Sequence, residues 1–411
     1  TEDTTVVNQN ISMEEKMKQL TKLGLALFSA SIFALGSVDA SAANDPGISD
    51  KEILICSYQP MTGKISSYFR MGKGADAWFK HVNDTGGING RMVNYKMGDD
   101  KYEPARTKSL VKRFIERDKC FAIVAPLGSA PTSAVIEYIT SKNVPLIGAG
   151  TGAEKNLTFP SKYVFPLYPS YFMEGQELVR FASKVFGAKK ITILYQNDPS
   201  GKTHLKGINS VLKKYGVDLV EAQGYDQKEI DVSAQVIAMK NSGAEAVLCS
   251  CAPEPAARFY TERKKLGWNV PVINVFFGKS PKVPELAGKD AVEGVYFTTI
   301  FRGFNSPAEQ IQLAKKLLSK YYPQETPDAI HLWGFTGAQV FTEAMRRMGR
   351  DNLTRDRLVK TLEGIDGWKG SVVPEITIGE GNAPEHFLVK DMSYVIYTGG
   401  EFKDFTPPWQ K

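Results

Sequence analysis

The chain has 411 residues, 42% hydrophobic and 23% charged, with a net charge of +6. That length suits two domains able to bury their own cores, and the composition excludes a disordered or fibrous protein. The basic excess is spread without a basic run, which argues against nucleic acid as a partner.

Near the start, Met17, Lys18 and Lys22 give a short positive region, Leu23 to Gly36 is apolar and uncharged, and Ala40-Ser41-Ala42 has the small-x-small pattern of a cleavage site. Residues 17–42 are therefore read as a cleavable signal peptide, with translation beginning at Met17 or Met13 and the mature chain at Ala43. The apolar stretch is shorter than the roughly 20 residues a membrane-spanning helix needs. No cysteine stands at the cleavage point, so no lipid anchor is expected. Export permits disulfides. Cys249 and Cys251, however, stand two apart on one predicted strand, too far along one face to bridge easily, and lack a partner pair at metal-site spacing. Buried free thiols are the expectation.

From Lys51 onward strands and helices alternate. Strands are expected at 52–59, 92–100, 120–128 and 144–150, with helices at 68–82, 104–116 and 131–141 between them. After YVFPLYPSYF (163–172) the rhythm restarts. Helices at 174–186, 203–215, 231–242 and 255–266 alternate with strands at 190–197, 217–225, 244–251, 270–277 and 294–301. Three helices follow, at 306–322, 329–348 and 354–365, and then two strands around Gly399-Gly400. Single helices between strands imply parallel sheets covered on both faces, so the fold class is α/β with two doubly wound, Rossmann-like lobes. The tail is expected to return to both halves. Lobe one then holds 48–167 and 303–372, lobe two holds 168–302 and 373–411, and three hinge crossings join them.

Enzyme signatures are missing. His81, His204, His331 and His386 are far apart in sequence and fit no H-E-x-x-H pattern, and there is no G-x-S-x-G nucleophile elbow. GAGTGAEKN (148–156) lacks the Gly-Lys-Ser/Thr ending of a phosphate loop. No metal, cofactor or catalytic residue is assigned. Small molecules bind open parallel sheets beyond the carboxyl ends of the strands, and three loops of lobe one qualify: 60–68, 128–132 and 149–152. Gly128, Gly150 and Gly152 allow backbone amides to approach a ligand, helix N-termini favour an anion, and Ser129 and Thr151 add hydroxyls. The alternative is that these two hydroxyls only cap the helices they precede.

QPMTGKISSYFRMGKGADAWFKHVNDTGGINGR (59–91) is similar to the opening P-x-T-G … G … A … N-x-x-G-G-I-x-G stretch of the branched-chain amino-acid type of periplasmic binding protein. DDKYEPARTKSLVKRFIERDKCFAIVAPLGSAPTSA (99–134), VPLIGAGTGAEKNL (144–157), VFPLYPSYFMEGQELVRF (164–181) and ITILYQNDPSGKTHLKGI (191–208) extend the resemblance in order across nearly the whole mature chain. The resemblance implies the type I fold of that family, a periplasmic location, a ligand cleft between the lobes and an inner-membrane ABC permease as partner.

Residue by residue, the resemblance places Tyr68, five after Gly63, against the ligand. It places Ser129, with Ala149, Gly150 and Thr151, where members hold an amino acid's carboxylate and ammonium; Gly128 and Ala130, beside Ser129 in the loop after the third strand, are ligand-binding candidates with it. Lobe two departs from the pattern. Ser200 stands where an aromatic is common, and Phe276-Phe277 occupies the loop that usually presents an acid to the α-ammonium. Asp198 or Glu254 would have to substitute, or the ligand is an aromatic or aliphatic carboxylate suited to Tyr68, Tyr171, Phe276 and Phe277. Those aromatics could equally be interlobe packing. Lobe one is expected to anchor the polar end, while Ser200, Cys251 and the Phe pair set specificity. The function expected is capture of a small amino-acid-like or carboxylate-bearing solute by hinged closure for an ABC importer, which requires only a monomer. A soluble periplasmic sensor of the same fold and a secreted Rossmann-like enzyme are the alternatives.

Overall fold

A computed structural model describes residues 44–410 apart from positions 64, 154–155, 157–158, 227–230, 302, 305, 382–385 and 390–391. The expected signal peptide lies outside the described residues. In chain order the elements begin with β1 (Glu52–Gln59), α1 (Arg70–Asp84), β2 (Met92–Asp99), α2 (Pro104–Glu116), β3 (Ile123–Val124), α3 (Ser129–Ser141), β4 (Leu146–Ala149) and β5 (Val164–Pro166). A second series follows: α4 (Tyr171–Lys184), β6 (Lys190–Gln196), α5 (Pro199–Tyr215), β7 (Asp218–Tyr225), α6 (Ser233–Asn241), β8 (Ala246–Ser250), α7 (Pro253–Lys265), β9 (Val272–Asn274), α8 (Lys282–Ala287), α9 (Lys289–Val292) and β10 (Tyr296–Thr299). The tail holds α10 (Glu309–Tyr321), α11 (Ala329–Met348), α12 (Arg355–Glu363), β11 (Ser393–Thr398) and β12 (Glu401–Phe405).

The first sheet runs β2-β1-β3-β4-β5, all parallel; the second runs β7-β6-β8-β9-β10 in the same order and sense. The final hairpin β11–β12 adds antiparallel strands beyond β10. The helices α10 and α11 pack on α1, so the tail serves the first lobe with its helices and the second with its hairpin.

Each lobe is locked by a helix pair whose backbones touch. A methyl group on Gly334 of α11 would lie 1.9 Å from the Met71 carbonyl of α1, and one on Gly74 would lie 2.1 Å from that of His331. In lobe two the same device joins α4 and α5: a methyl group on Gly207 would lie 2.0 Å from the Phe172 carbonyl and one on Gly175 2.3 Å from that of His204. No side chain fits at such an approach, so any larger residue forces the helices apart.

Two strands are shorter than their apolar runs suggest. β3 stops at Val124 because Ala125 takes a left-handed φ of 49°, turning the chain toward Leu127, which bridges to Gly150. β9 stops at Asn274, whose Oδ1 accepts the Val275 amide at 2.9 Å, and a short 3-10 turn covers Phe276–Gly278. Cys249 and Cys251 are free and buried, but Cys56 and Cys120 form a disulfide. The free-thiol expectation therefore does not extend to this pair, which parallel pairing of β1 with β3 brings to a Cα separation of 5.9 Å.

Candidate ligand-binding cleft

In both sheets the order reverses beside the first strand, and the loops leaving β1, β3, β6 and β8 form a crevice at each reversal. Residues of both lobes together enclose a cavity of about 40 Å³, the size of about three water molecules. Ile65 and Tyr68 enter it after β1, Tyr102 after β2, Gly128 and Ser129 after β3, and Gly150 after β4. Trp333 comes from α11 and Tyr168 from the crossing that follows β5. Lobe two supplies Tyr171, Gln196, Ser200 and Phe277.

The lobes are closed in this structure. The Tyr68 hydroxyl donates to the Phe277 carbonyl at 3.2 Å, the Tyr102 hydroxyl to Asp198 at 3.3 Å, and the Arg70 guanidinium to Ser280 Oγ at 3.1 Å. Each of these bonds joins one lobe to the other. Tyr168 packs edge-on to Phe276 at 4.5 Å and Trp333 at 5.4 Å, while Tyr171 meets Phe277 at 5.7 Å. Burial pushes the Tyr68, Tyr102, Tyr168 and Tyr171 hydroxyls above the usual tyrosine range, so they face the cavity as neutral groups. No charged side chain lines it among the described residues. Trp333 is 1% exposed, and its indole Nε1–H is a buried donor with no partner among the described residues.

Of the residues singled out in the sequence, Tyr68, Gly128, Ser129, Gly150, Tyr171, Ser200 and Phe277 line the cavity. The others do not line it. Phe276 is packed against Tyr168 and Trp333, and the Cys251 thiol points to the Leu194 carbonyl at 3.4 Å, its pKa pushed well up by burial. Ala149 joins the sheet core, and Ala130 lines a separate surface recess beside Pro199. The Thr151 hydroxyl lies 2.8 Å from Ser129 Oγ and accepts from the Asn156 amide at 3.1 Å and the Ala153 amide at 3.2 Å, so it holds the Ser129 hydroxyl from behind. Ser129 does not cap α3: the capping position is Gly128, and Ser129 is the first helical residue.

Asp198 is the cap of α5. Its carboxylate accepts from the Ser200 and Gly201 amides at 2.8 and 3.2 Å, from Gln196 Nε2 at 2.7 Å and from Tyr102. Burial raises its pKa despite these bonds, and little capacity is left for an ammonium. Glu254 stands in the first turn of α7, with Lys282 3.6 Å away, and does not line the cavity. Three of the expected amides are committed: Gly128 N donates to Gly150 O, Gly150 N to Pro126 O, and Thr151 N to Ala149 O. The Trp333 indole and the Ser129 hydroxyl add side-chain donors.

Tyr102, Tyr168, Gln196 and Trp333 were not singled out in the sequence. Tyr102 and Gln196 stand at carboxyl ends of strands, a signal that was available. Trp333, inside a long helix, carried none.

Beneath the Phe276–Phe277 turn, Glu174 accepts from the Phe276 amide at 3.1 Å and from the Thr298 hydroxyl, and lies 2.8 Å from His204 Nε2. The Ser250 hydroxyl is 2.9 Å from His204 Nδ1. This serine–histidine–glutamate chain resembles hydrolase machinery, but Ser250, His204 and Glu174 are each 0% exposed. It is a strut beneath the turn. Among the described residues no cluster of His, Cys, Asp and Glu could hold a metal ion, and no helix is long and apolar enough to cross a membrane.

A family model described as periplasmic binding protein matches residues 52–395. An amino acid binding protein of Pseudomonas aeruginosa is 25% identical over 222 residues, 54% of this chain and 59% of that protein, less than two thirds of its length. A Leu/Ile/Val-binding protein homolog of Brucella suis is 24% identical over 341 residues, 79% of this chain and 82% of that protein. Among solved structures, a fatty acid ABC transporter substrate-binding protein from Thermomonospora curvata superposes with a TM-score of 0.77 at 21% identity, covering 88% of this chain and 94% of that one.

Proposed function

The chain belongs to the periplasmic binding protein family, and from that premise we propose that it is the extracytoplasmic solute-binding component of an ABC importer, closing on a small organic acid that carries no α-ammonium. Lobe one, 48–167 with 303–372, receives the solute. Lobe two, 168–302 with the closing hairpin, swings over it, and the closed complex is handed to an inner-membrane permease. The described residues of 376–389 stay with lobe one, where Leu388 N donates to Pro166 O and Val389 N to Leu167 O. No bond of the solute is made or broken.

The observation that carries the ligand class is the lining: six aromatic residues and the hydroxyl of Ser129 enclose the cavity, with no charged side chain among the described ones. A buried ammonium without an acid partner costs about 3–5 kcal/mol relative to one that is paired. A carboxylate, by contrast, meets the unpartnered indole N–H of Trp333 and the hydroxyl of Ser129, and an aromatic or aliphatic body suits the rings. Only closure produces this cavity, so the solute must enter with the lobes apart and select the closed form through contacts absent in the open one.

The names of the amino-acid-binding relatives favour a second reading, an α-amino acid whose ammonium rests on backbone carbonyls. A thermal-shift screen separates the two, because binding to the native state raises its melting temperature. Short-chain and aromatic monocarboxylates are expected to raise it and branched-chain amino acids to leave it unchanged. A shift with the amino acids alone overturns the organic-acid assignment.

A further inference from the structure

A second cavity, about 400 Å³, lies on the same interlobe seam. The bonds Tyr68–Phe277 and Arg70–Ser280 stand between the two: Phe277 and Trp333 face the first, Lys279 and Leu332 the second. Its volume falls within the range of small-molecule sites. Lobe two contributes Lys279, Pro281, Tyr397 and Phe402, the opposite wall is built from Phe304, Asp328 and Leu332, and Glu285, Lys289 and Glu401 also line it.

Lys279 is the feature that the packing leaves unexplained. It is 7% exposed, and its ammonium donates to Thr299 Oγ1 at 2.9 Å. Among the described residues it makes no ion pair, so one of its three donors is accounted for. The nearby carboxylate of Asp328 is already committed. One oxygen accepts from the Ile330 and His331 amides and lies 2.9 Å from His331 Nδ1; the other accepts from Arg70 at 2.7 Å and from Ser280 at 3.3 Å. Burial pushes the Lys279 ammonium down to about 8, against the opposing pull of Asp404 and Asp328. A buried cation with spare donors beside the apolar side chains of Phe304, Leu332 and Phe402 complements an anion with an apolar body.

We propose that this second interlobe cavity is a separate binding site for a small organic acid with an apolar body, its carboxylate held by the Lys279 ammonium and its body by Phe304, Leu332 and Phe402. Because both lobes build the walls, the occupant favours the closed form and acts in concert with a solute in the first cavity.

The test is isothermal titration of the purified protein with sodium octanoate. Wild type is expected to bind it, and Lys279→Met to weaken binding at least about tenfold. That variant is expected to fold, since an apolar side chain of similar length relieves a buried charge. Ala329→Phe, which fills the cavity from a half-buried position on its wall, is expected to cause a similar loss. Ser129→Ala, which alters only the first cavity, is expected to leave octanoate affinity within twofold. Absence of binding to wild type, undiminished binding to Lys279→Met, or loss with Ser129→Ala overturns the proposal. Loss with Lys279→Met and Ala329→Phe alone locates the acid in the second cavity, whereas loss with Ser129→Ala alone locates it in the first and leaves the function proposed there standing.

Discussion

At the residue scale the cleft turns on a few neutral donors. Trp333 presents its indole N–H without a partner, and Ser129 presents a hydroxyl braced by Thr151 and Asn156. A buried donor left unmatched costs about 1–3 kcal/mol, which a ligand acceptor recovers. Trp333→Phe keeps a ring in place and removes the donor. It is expected to weaken binding of the accepted acid about tenfold, with thermal stability unchanged or slightly raised. Titration calorimetry on the two proteins checks this; equal affinities would remove the indole from the site. Asp198 shows the converse. As an acid in a cleft loop it suggests a partner for a ligand ammonium, but capping α5 and accepting from Gln196 and Tyr102 use its oxygens.

At the element scale, the turn after β9 is held from below rather than by its own sheet. Glu174 of α4 binds the Phe276 amide, and His204 of α5 and Thr298 of β10 converge on the same carboxylate. Glu174→Gln replaces an acceptor by a donor in a closed network. It is expected to cost about 2–4 kcal/mol in urea-induced unfolding, because buried partners are left unmatched. Solute binding should weaken with it, since Phe277 rides on that turn. Unchanged stability would mean that the network carries no load.

Most of the elements were legible from hydrophobic periodicity, including β1, α2, α11 and the closing hairpin, because each buries one regular face. Where local hydrogen bonding competes with the ladder, periodicity failed. Ala125 and Asn274 divert their strands, yet the surrounding residues are as apolar as those of a full strand. The true start of α5 was written as Asp198-Pro199, a cap followed by a first-turn proline. The Cys56–Cys120 bond was not, because it depends on which strands become neighbours. For the cleft, loops at strand ends could be read and half of the lining followed. Trp333 and Tyr168 reach it from a helix and a crossing, positions that only the tertiary arrangement defines.

At the scale of the whole molecule, one strand order is used twice, and the two switch points face each other across a seam. Three hydrogen bonds from first-lobe side chains to the second lobe close that seam, and the cavity they seal is smaller than most solutes. Opening must therefore precede binding, and a solute must then repay the separation through contacts made by both halves. Small-angle X-ray scattering, with and without the organic acid that most raises the melting temperature, measures this directly. The account predicts a smaller radius of gyration on addition, approaching that of the closed arrangement described above. A radius that stays the same at saturating acid would contradict it.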